Sequence, residues 1–182
     1  MRRYAVKSNL ILNYSNALND KLQTSKEEFV TELLKAQPMF DYGDFPFKDK
    51  RKTEFRGMAT LQNGDKYQGT WIKNSAGVNV IHGRGVYVFS NGSQFVGYFN
   101  EGEIIGKGRM IFHNGDIYQG EFSSQEYDGQ GRYQFGTSHP ISGYYIGEFN
   151  HNQITGNGKL NIRSTKPLTK IFGQIRIDEI EY

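Results

Sequence analysis

A five-residue pattern of aromatic, any residue, glycine, any residue, aromatic recurs along the chain, and each clear copy is followed by a Gly-x-Gly. Successive copies begin 23 to 28 residues apart. Self-similarity at such a period predicts a repeat architecture in which each unit packs mainly against its neighbours. A degenerate copy of the pattern, Ile171–Ile175, ends the series. The four clear copies are Tyr67–Trp71, Phe95–Phe99, Tyr118–Phe122 and Tyr145–Phe149, and their glycine pairs are Gly83/Gly85, Gly106/Gly108, Gly129/Gly131 and Gly156/Gly158.

The spacing within a unit predicts strands with one aromatic face. Side chains alternate along a strand, so Tyr67, Gly69 and Trp71 share a face, and both glycines of a Gly-x-Gly are expected on that face too. Glycine inside a strand costs about 0.5–1 kcal/mol relative to alanine, and rings lying over the bare backbone offset that cost. The predicted groove aromatics, which form the sheet core or bind a partner, are Tyr67, Trp71, Tyr87, Phe89, Phe95, Phe99, Phe112, Tyr118, Phe122, Tyr133, Phe135, Tyr145 and Phe149.

Tight-turn dipeptides connect the predicted strands. Asn63-Gly64, Asn91-Gly92 and Asn114-Gly115 tolerate positive φ, and Asn100–Gly102 turns within a unit. The sequence therefore predicts a mostly β fold: an elongated, single-layer antiparallel meander of β-hairpin repeats, trough-like, with the aromatic side concave. Residues 55–182 hold about four full units plus terminal half-units.

Residues 1–54 form a separate N-terminal extension, because only one of the 22 glycines precedes Glu54. A capping box at Ser25 and Glu28 and a stop at Pro38 predict a helix at about 26–36. An extended aromatic arm at 39–47 and a basic linker at 48–52 follow it.

The predicted aromatic face needs a cover, because contiguous exposed apolar patches of more than a few hundred Å² usually mark an interaction site. Part of residues 10–47 is a candidate. Two alternatives stay open: the extension docks on its own sheet, or it is an arm for a partner protein. The possible docking residues are Phe29, Leu33, Phe40, Phe45 and Phe47.

Over about residues 55–176 the chain resembles the MORN (membrane occupation and recognition nexus) repeat. The resemblance rests on a composite pattern, which consists of Y-x-G-x-[WF], a short polar turn, G-x-G, an apolar pair and N-G-[DS]. The resemblance implies an interaction module. Short chains made mostly of such repeats are often parts of cytoskeletal assemblies, including ciliary and flagellar structures such as radial spoke heads, and similar arrays pair into homodimers. Junctophilin-like proteins carry the repeats with a transmembrane helix. Some lysine methyltransferases and plant phosphatidylinositol phosphate kinases carry them beside a catalytic domain.

The residues themselves argue against catalysis. The chain has no cysteine, which excludes disulfides and thiolate chemistry. The Gly-x-Gly pairs lack the third glycine or the Gly-Lys-[Ser/Thr] of nucleotide loops. The four histidines fall in turns or loops of different units without ligand spacing, and Asp65 and Asp116 occupy turn positions after Asn-Gly. The sequence therefore predicts no enzyme, no metal and no cofactor.

Basic and acidic residues are nearly balanced, with 22 Lys+Arg against 19 Asp+Glu, which argues against a nucleic-acid-binding surface. The cluster at 48–52 predicts a solvated linker, with lipid contact as the alternative. No apolar run reaches the roughly 20 residues of a membrane span or resembles a signal peptide. Arg2, Arg3 and Lys7 give a weak transit-peptide character, so we expect the cytoplasm, at the cytoskeleton or a cilium, rather than the mitochondrion.

We therefore expect a non-catalytic scaffold or adaptor for other proteins in a large assembly, binding a peptide or helix along the aromatic face. The alternatives are a membrane or phosphoinositide tether and an accessory module of an enzyme complex.

Overall fold

One helix and ten strands make up the part of the chain that the structure, a computed structural model, describes. It describes residues 16–136, 141–164 and 179–181, and the side chains of 26–136 and 142–161. The elements are α1 (Asn16–Ala36), β1 (Glu54–Thr60), β2 (Lys66–Lys73), β3 (Asn79–Val88), β4 (Gln94–Asn100), β5 (Glu103–Ile111), β6 (Ile117–Ser123), β7 (Glu126–Phe135), β8 (Ile141–Asn150), β9 (Gln153–Ser164) and β10 (Glu179–Glu181).

The strands pair in chain order into a single open sheet. From β1 to β9 every neighbouring pair is antiparallel, which confirms the predicted meander. A tenth strand that the repeat pattern did not predict, β10, runs parallel to β9. Residues 165–178 separate these two strands, and parallel neighbours need a connection of about a dozen residues or more. The degenerate copy at 171–175 lies outside the described residues.

Two kinds of turn alternate along the meander. At one end of the strands, the Asn-Gly turns close with hydrogen bonds such as Gly92 N to Phe89 O at 2.8 Å. At the other end, the two-residue turns after β4, β6 and β8 have positive φ at both central residues, as in Glu101 (47°) and Gly102 (94°), the geometry that matches strand twist. These turns also bond to the preceding unit, since the Gly102 amide donates to the Ile81 carbonyl at 2.8 Å. Each hairpin is thereby tied to the one before it.

The leading ring of each unit lies over two glycines that face each other across a strand pair. Tyr67, for example, covers Gly69 and Gly85, which are register partners on β2 and β3. A Cβ on either glycine would lie less than 3.0 Å from that tyrosine, so only a bare backbone accepts the ring. All four leading rings are 0% exposed. The other three combinations are Phe95 over Gly97 and Gly108, Tyr118 over Gly120 and Gly131, and Tyr145 over Gly147 and Gly158.

The first glycine of each Gly-x-Gly has a different role from the second. Gly83 and its counterparts adopt left-handed φ, from 62° to 104°, and lie where the pairing register shifts. A Cβ on Gly83 would meet Thr70, and one on Gly106 would meet Pro46, both on the face opposite the rings. The expectation that both glycines share the aromatic face was therefore wrong. A β-bulge resets the alternation of side chains between them.

The helix of the extension ends at Ala36, close to the predicted boundary before Pro38. It begins at Asn16 rather than near 26, so the capping box predicted at Ser25 was wrong. The sequence Ala17-Leu18-Asn19-Asp20-Lys21-Leu22-Gln23 is rich in good helix formers and continues the helix through Ser25.

We expect Gly131→Ala to lower the free energy of unfolding by about 1–3 kcal/mol, because the new methyl group would overlap the ring of Tyr118. Gly57→Ala is the matched control, since a Cβ there has nothing within 4 Å. It should leave stability unchanged or raise it by about 0.4–1 kcal/mol. Chemical denaturation measures both, and equal effects would contradict the seating of Tyr118 on glycine.

Candidate functional site: the two faces of the sheet

On the aromatic face, the rings of each unit contact one another and rings of a neighbouring unit in a continuous row. Phe95 contacts Phe99 of its own unit edge-on, with centroids 5.3 Å apart, and Phe122 of the next unit at 5.1 Å. Tyr118 repeats this arrangement with Phe122 at 5.1 Å and Phe149 at 5.0 Å. Such pairs contribute about 0.5–1.5 kcal/mol each beyond the burial of their area. The rings therefore link every unit to the next.

The structure divides the predicted groove aromatics into two sets by their exposure. The buried set fills the core and is not accessible to a partner without opening the sheet. The half-buried set, which we call the aromatic rim, leaves part of each ring exposed. The buried rings are Tyr67, Tyr87, Phe95, Phe99, Tyr118, Phe122, Tyr145 and Phe149. The aromatic rim consists of Trp71, Phe89, Phe112, Tyr133 and Phe135.

One core ring was missed by the sequence reasoning. Tyr127 stacks on Tyr118 with centroids 3.9 Å apart and an interplanar angle of 18°. Its register partner is Phe122, and Ile104 pairs in the same way with Phe99. The signal was present in the sequence, because an apolar residue follows the second turn of each unit.

Buried carboxylates join successive units at the Asn-Gly end of the sheet. Asp116 accepts hydrogen bonds from the Tyr133 hydroxyl at 2.8 Å and the Gly136 amide at 2.6 Å. Asp65 does the same with the Tyr87 hydroxyl at 2.5 Å and the Ser90 amide at 2.7 Å. Burial and the neighbouring carboxylate raise the pKa of both tyrosines. The sequence placed these aspartates in turns but did not reveal their inter-unit role.

The N-terminal extension covers the face opposite the rings. On α1, Val30 is fully buried against Ile111 and Ile117. Thr31 accepts a hydrogen bond from the Gln94 side chain at 2.7 Å. Side chains alternate between the two faces along β4, β5 and β6, which places Gln94, Ile111 and Ile117 on the polar face. Of the two alternatives, the described part of the extension docks on its own sheet. The face expected for it was wrong, because the rings of the aromatic trough already bury one another.

The aromatic arm continues across the same face. The Arg109 guanidinium donates to the Pro38 carbonyl at 2.7 Å and lies 5.5 Å from the centroid of Phe40. Arg84 lies 4.4 Å from the centroid of Tyr42. The Tyr98 hydroxyl then donates to the Gly43 carbonyl at 2.8 Å.

The predicted docking residues differ in how deeply they pack. Phe45 is half-buried, with its ring 4.9 Å from that of His82 and 5.6 Å from that of Tyr98. Leu33 and Phe40 are also half-buried. Phe29 and Phe47 remain 48% and 50% exposed. The arm therefore contacts the sheet mainly through Phe40, Tyr42 and Phe45.

The predicted basic linker carries an ion-pair cluster around a buried histidine. Arg51 bridges Asp49 at 2.5 Å and Glu101 at 2.7 Å, and its hydrogen bonds lower the pKa of Asp49 to about 2. His82 is 1% exposed. Its Nδ1 accepts from the Glu101 amide at 3.4 Å, and its Nε2 lies 3.1 Å from Asp49. Burial lowers the pKa of His82.

Two features bear on other kinds of function. Among the described residues, no group of three or more His, Asp or Glu side chains is placed to hold a metal ion. None of the helical residues seen in the structure forms a segment both long and apolar enough to cross a bilayer.

An open meander of hairpins interlocked by rings defines a repeat protein of the β-hairpin type. The family model of the MORN repeat matches the chain four times, at residues 79–94, 95–117, 118–139 and 145–161. Four stretches within residues 79–161 thus match the MORN repeat, which suggests a protein–protein or membrane-association module. The hairpin of β1 and β2 extends the same fold ahead of the matched residues. A comparison with the curated proteins finds no match.

We expect Asp116→Ala to destabilise the protein by about 1–3 kcal/mol, because it leaves the buried Gly136 amide and the half-buried Tyr133 hydroxyl without their acceptor. Tyr133→Phe removes only one of these bonds and should cost less. A double-mutant cycle of the two changes, measured by chemical denaturation, should give a coupling energy of about 0.5–3 kcal/mol. Strict additivity would show that the Tyr133–Asp116 bond does not join the units.

A fall in pH from 7.5 to 5.5 should destabilise the wild type more than His82→Phe. The pKa of His82 is lowered in the folded state, so the unfolded chain takes up the proton first and stability is lost as pH falls through about 6.5. Asp49, Arg51 and Glu101 are the charged groups near the imidazole. His113 and His151 titrate in both proteins, so the difference in unfolding free energy isolates His82. Parallel pH profiles would contradict this assignment.

Proposed function

We propose that this protein is a non-catalytic interaction scaffold or adaptor that positions other proteins in a larger assembly. The supporting observation is the interlocking of its units by rings, carboxylates and turn hydrogen bonds along one sheet. Nine antiparallel strands at about 4.8 Å spacing make that sheet about 40 Å long. A stiff surface of this length holds binding residues at constant separations, which is what a scaffold requires.

The aromatic rim is the surface that we assign to the partner. A peptide or helix lying along the aromatic face meets the rim, since the rings beneath it are buried against one another. Half-buried aromatic side chains are typical anchors of protein interfaces because they add large contact area at low cost in side-chain entropy.

The cellular setting is proposed from the resemblance of the repeats alone. Short proteins made mostly of these repeats support a cytoskeletal role, in a ciliary or flagellar axoneme of the radial-spoke-head type or in another cytoplasmic assembly. Pairing of two copies is compatible with the edge of β1, which among the described strands has a neighbour on one side only.

Cross-linking of the captured native complex tests the scaffold and its surface together. We expect protein cross-links that map to the sheet, and a loss of the partner with Phe112→Ala, which trims the rim. Phe55→Ala is the matched control, because this phenylalanine is 68% exposed on β1 and lies outside the rim; it should keep the partner.

Binding to vesicles containing phosphoinositide separates the scaffold from the tether alternative. The scaffold predicts weak binding, because residues 55–182 carry 12 basic against 11 acidic side chains. Tight, salt-sensitive vesicle binding without a protein partner would overturn the proposal in favour of a membrane tether.

A further inference from the structure

We propose that the face opposite the rings carries a peptide-recognition site, and that residues 38–47 occupy it as a self-ligand. A partner protein displaces this segment with an extended aromatic peptide of the same chemistry. Arg84, Tyr98 and Arg109, which we call the arginine cradle, form the site. It lies on the other face from the aromatic rim and is independent of the function proposed for the rim.

The contacts of the cradle define what it recognises. Arg109 and Arg84 each lie near an aromatic ring, those of Phe40 and Tyr42 respectively, and a guanidinium over a ring is a favourable cation–π arrangement. Arg109 and Tyr98 also donate to backbone carbonyls of the segment. The ligand is therefore an extended peptide with rings two residues apart and accessible carbonyl groups.

A second anchor lies further along the segment. Phe45 packs edge-on against the buried ring of His82. Pro46 lies on the bare backbone of Gly106, where a Cβ would come within 3.3 Å of its Cγ. The spacing aromatic-x-aromatic-x-x-Phe-Pro thus corresponds to shaped features of the sheet. A matching partner peptide carries rings at the same three positions.

The self-ligand is attached in a way that permits exchange. Among the described residues, no backbone–backbone hydrogen bond joins 38–53 to a strand. The segment is held by side chains, and its Tyr98–Gly43 bond is exposed to solvent. Its release leaves the ring core intact, because that core lies on the opposite face.

The next unit shows that this face accepts a ring from another source. Arg132 occupies the repeat position of Arg109, and its guanidinium lies 3.9 Å from the centroid of Tyr144 on β8. The sheet itself therefore supplies to Arg132 the ring that the arm supplies to Arg109. Two successive units thus carry an arginine at the same repeat position, and each of these arginines has a ring over it.

The test is binding of a labelled peptide of residues 38–49 to the full-length protein. In the wild type the tethered arm competes at a high effective concentration, so weak binding is expected. Tyr42→Ala/Phe45→Ala weakens the arm and leaves the cradle intact, and it should bind the peptide roughly tenfold more tightly or better. Adding Arg84→Gln/Arg109→Gln to this variant should abolish the gain.

Equal affinity of wild type and arm variant, or no binding to a folded arm variant, would overturn the proposal. If the arm variant does not fold, a wild-type protein with a protease site inserted in 48–53 is used in its place. After cleavage, the labelled peptide must displace the cleaved arm and bind to the arginine cradle. Concentration-dependent dimers that exchange their arms would make a second copy the occupant and would also overturn it. Phe112→Ala should leave peptide binding unchanged, so failure here is distinguishable from failure of the rim.

Discussion

The contact of an aromatic ring with a pair of facing glycines is the interaction on which the rest of the structure depends. A ring can approach the backbone this closely only where both register partners lack a Cβ, as beneath Tyr67, Phe95, Tyr118 and Tyr145. The glycines weaken each strand, and the rings offset that cost by covering the exposed peptide groups and burying their own area. Because Tyr67, Phe95 and Tyr118 each also contact a ring of the next unit, a local feature of one hairpin becomes the coupling between hairpins.

This arrangement gives the two faces of a single-layer sheet different properties. The ring face carries its own core, so it needs no second layer, and the described rings that it leaves accessible are those of the aromatic rim. The opposite face has its own arginines, tyrosine and apolar patch, and the N-terminal extension covers part of it through Val30 and the arm. A protein whose core lies on one face can exchange ligands on the other without unfolding, which is a useful property for a scaffold.

Much of this fold could be predicted from the sequence, because alternation and turn residues are local signals. The strands, the Asn-Gly turns and the ring-bearing face followed from spacing alone. Gly83 was misplaced because the alternation of a regular pleat does not hold there, and a bulge becomes visible only when strands are paired. The inter-unit role of Asp116 and the stacking of Tyr127 depend on the neighbouring unit. The docking face of the arm could not be inferred, because composition does not reveal that the rings are already covered by one another.

The most direct test of the account is the proton NMR spectrum of the glycines. A ring held against a Cα shifts the resonances of the attached protons through its ring current. The account predicts ring-current-shifted Hα resonances for Gly85, Gly108, Gly131 and Gly158, with those of Gly57 and Gly77 free of such a shift. Unshifted resonances at all six positions in the folded protein would show that the rings do not rest on the glycines and would contradict the central claim.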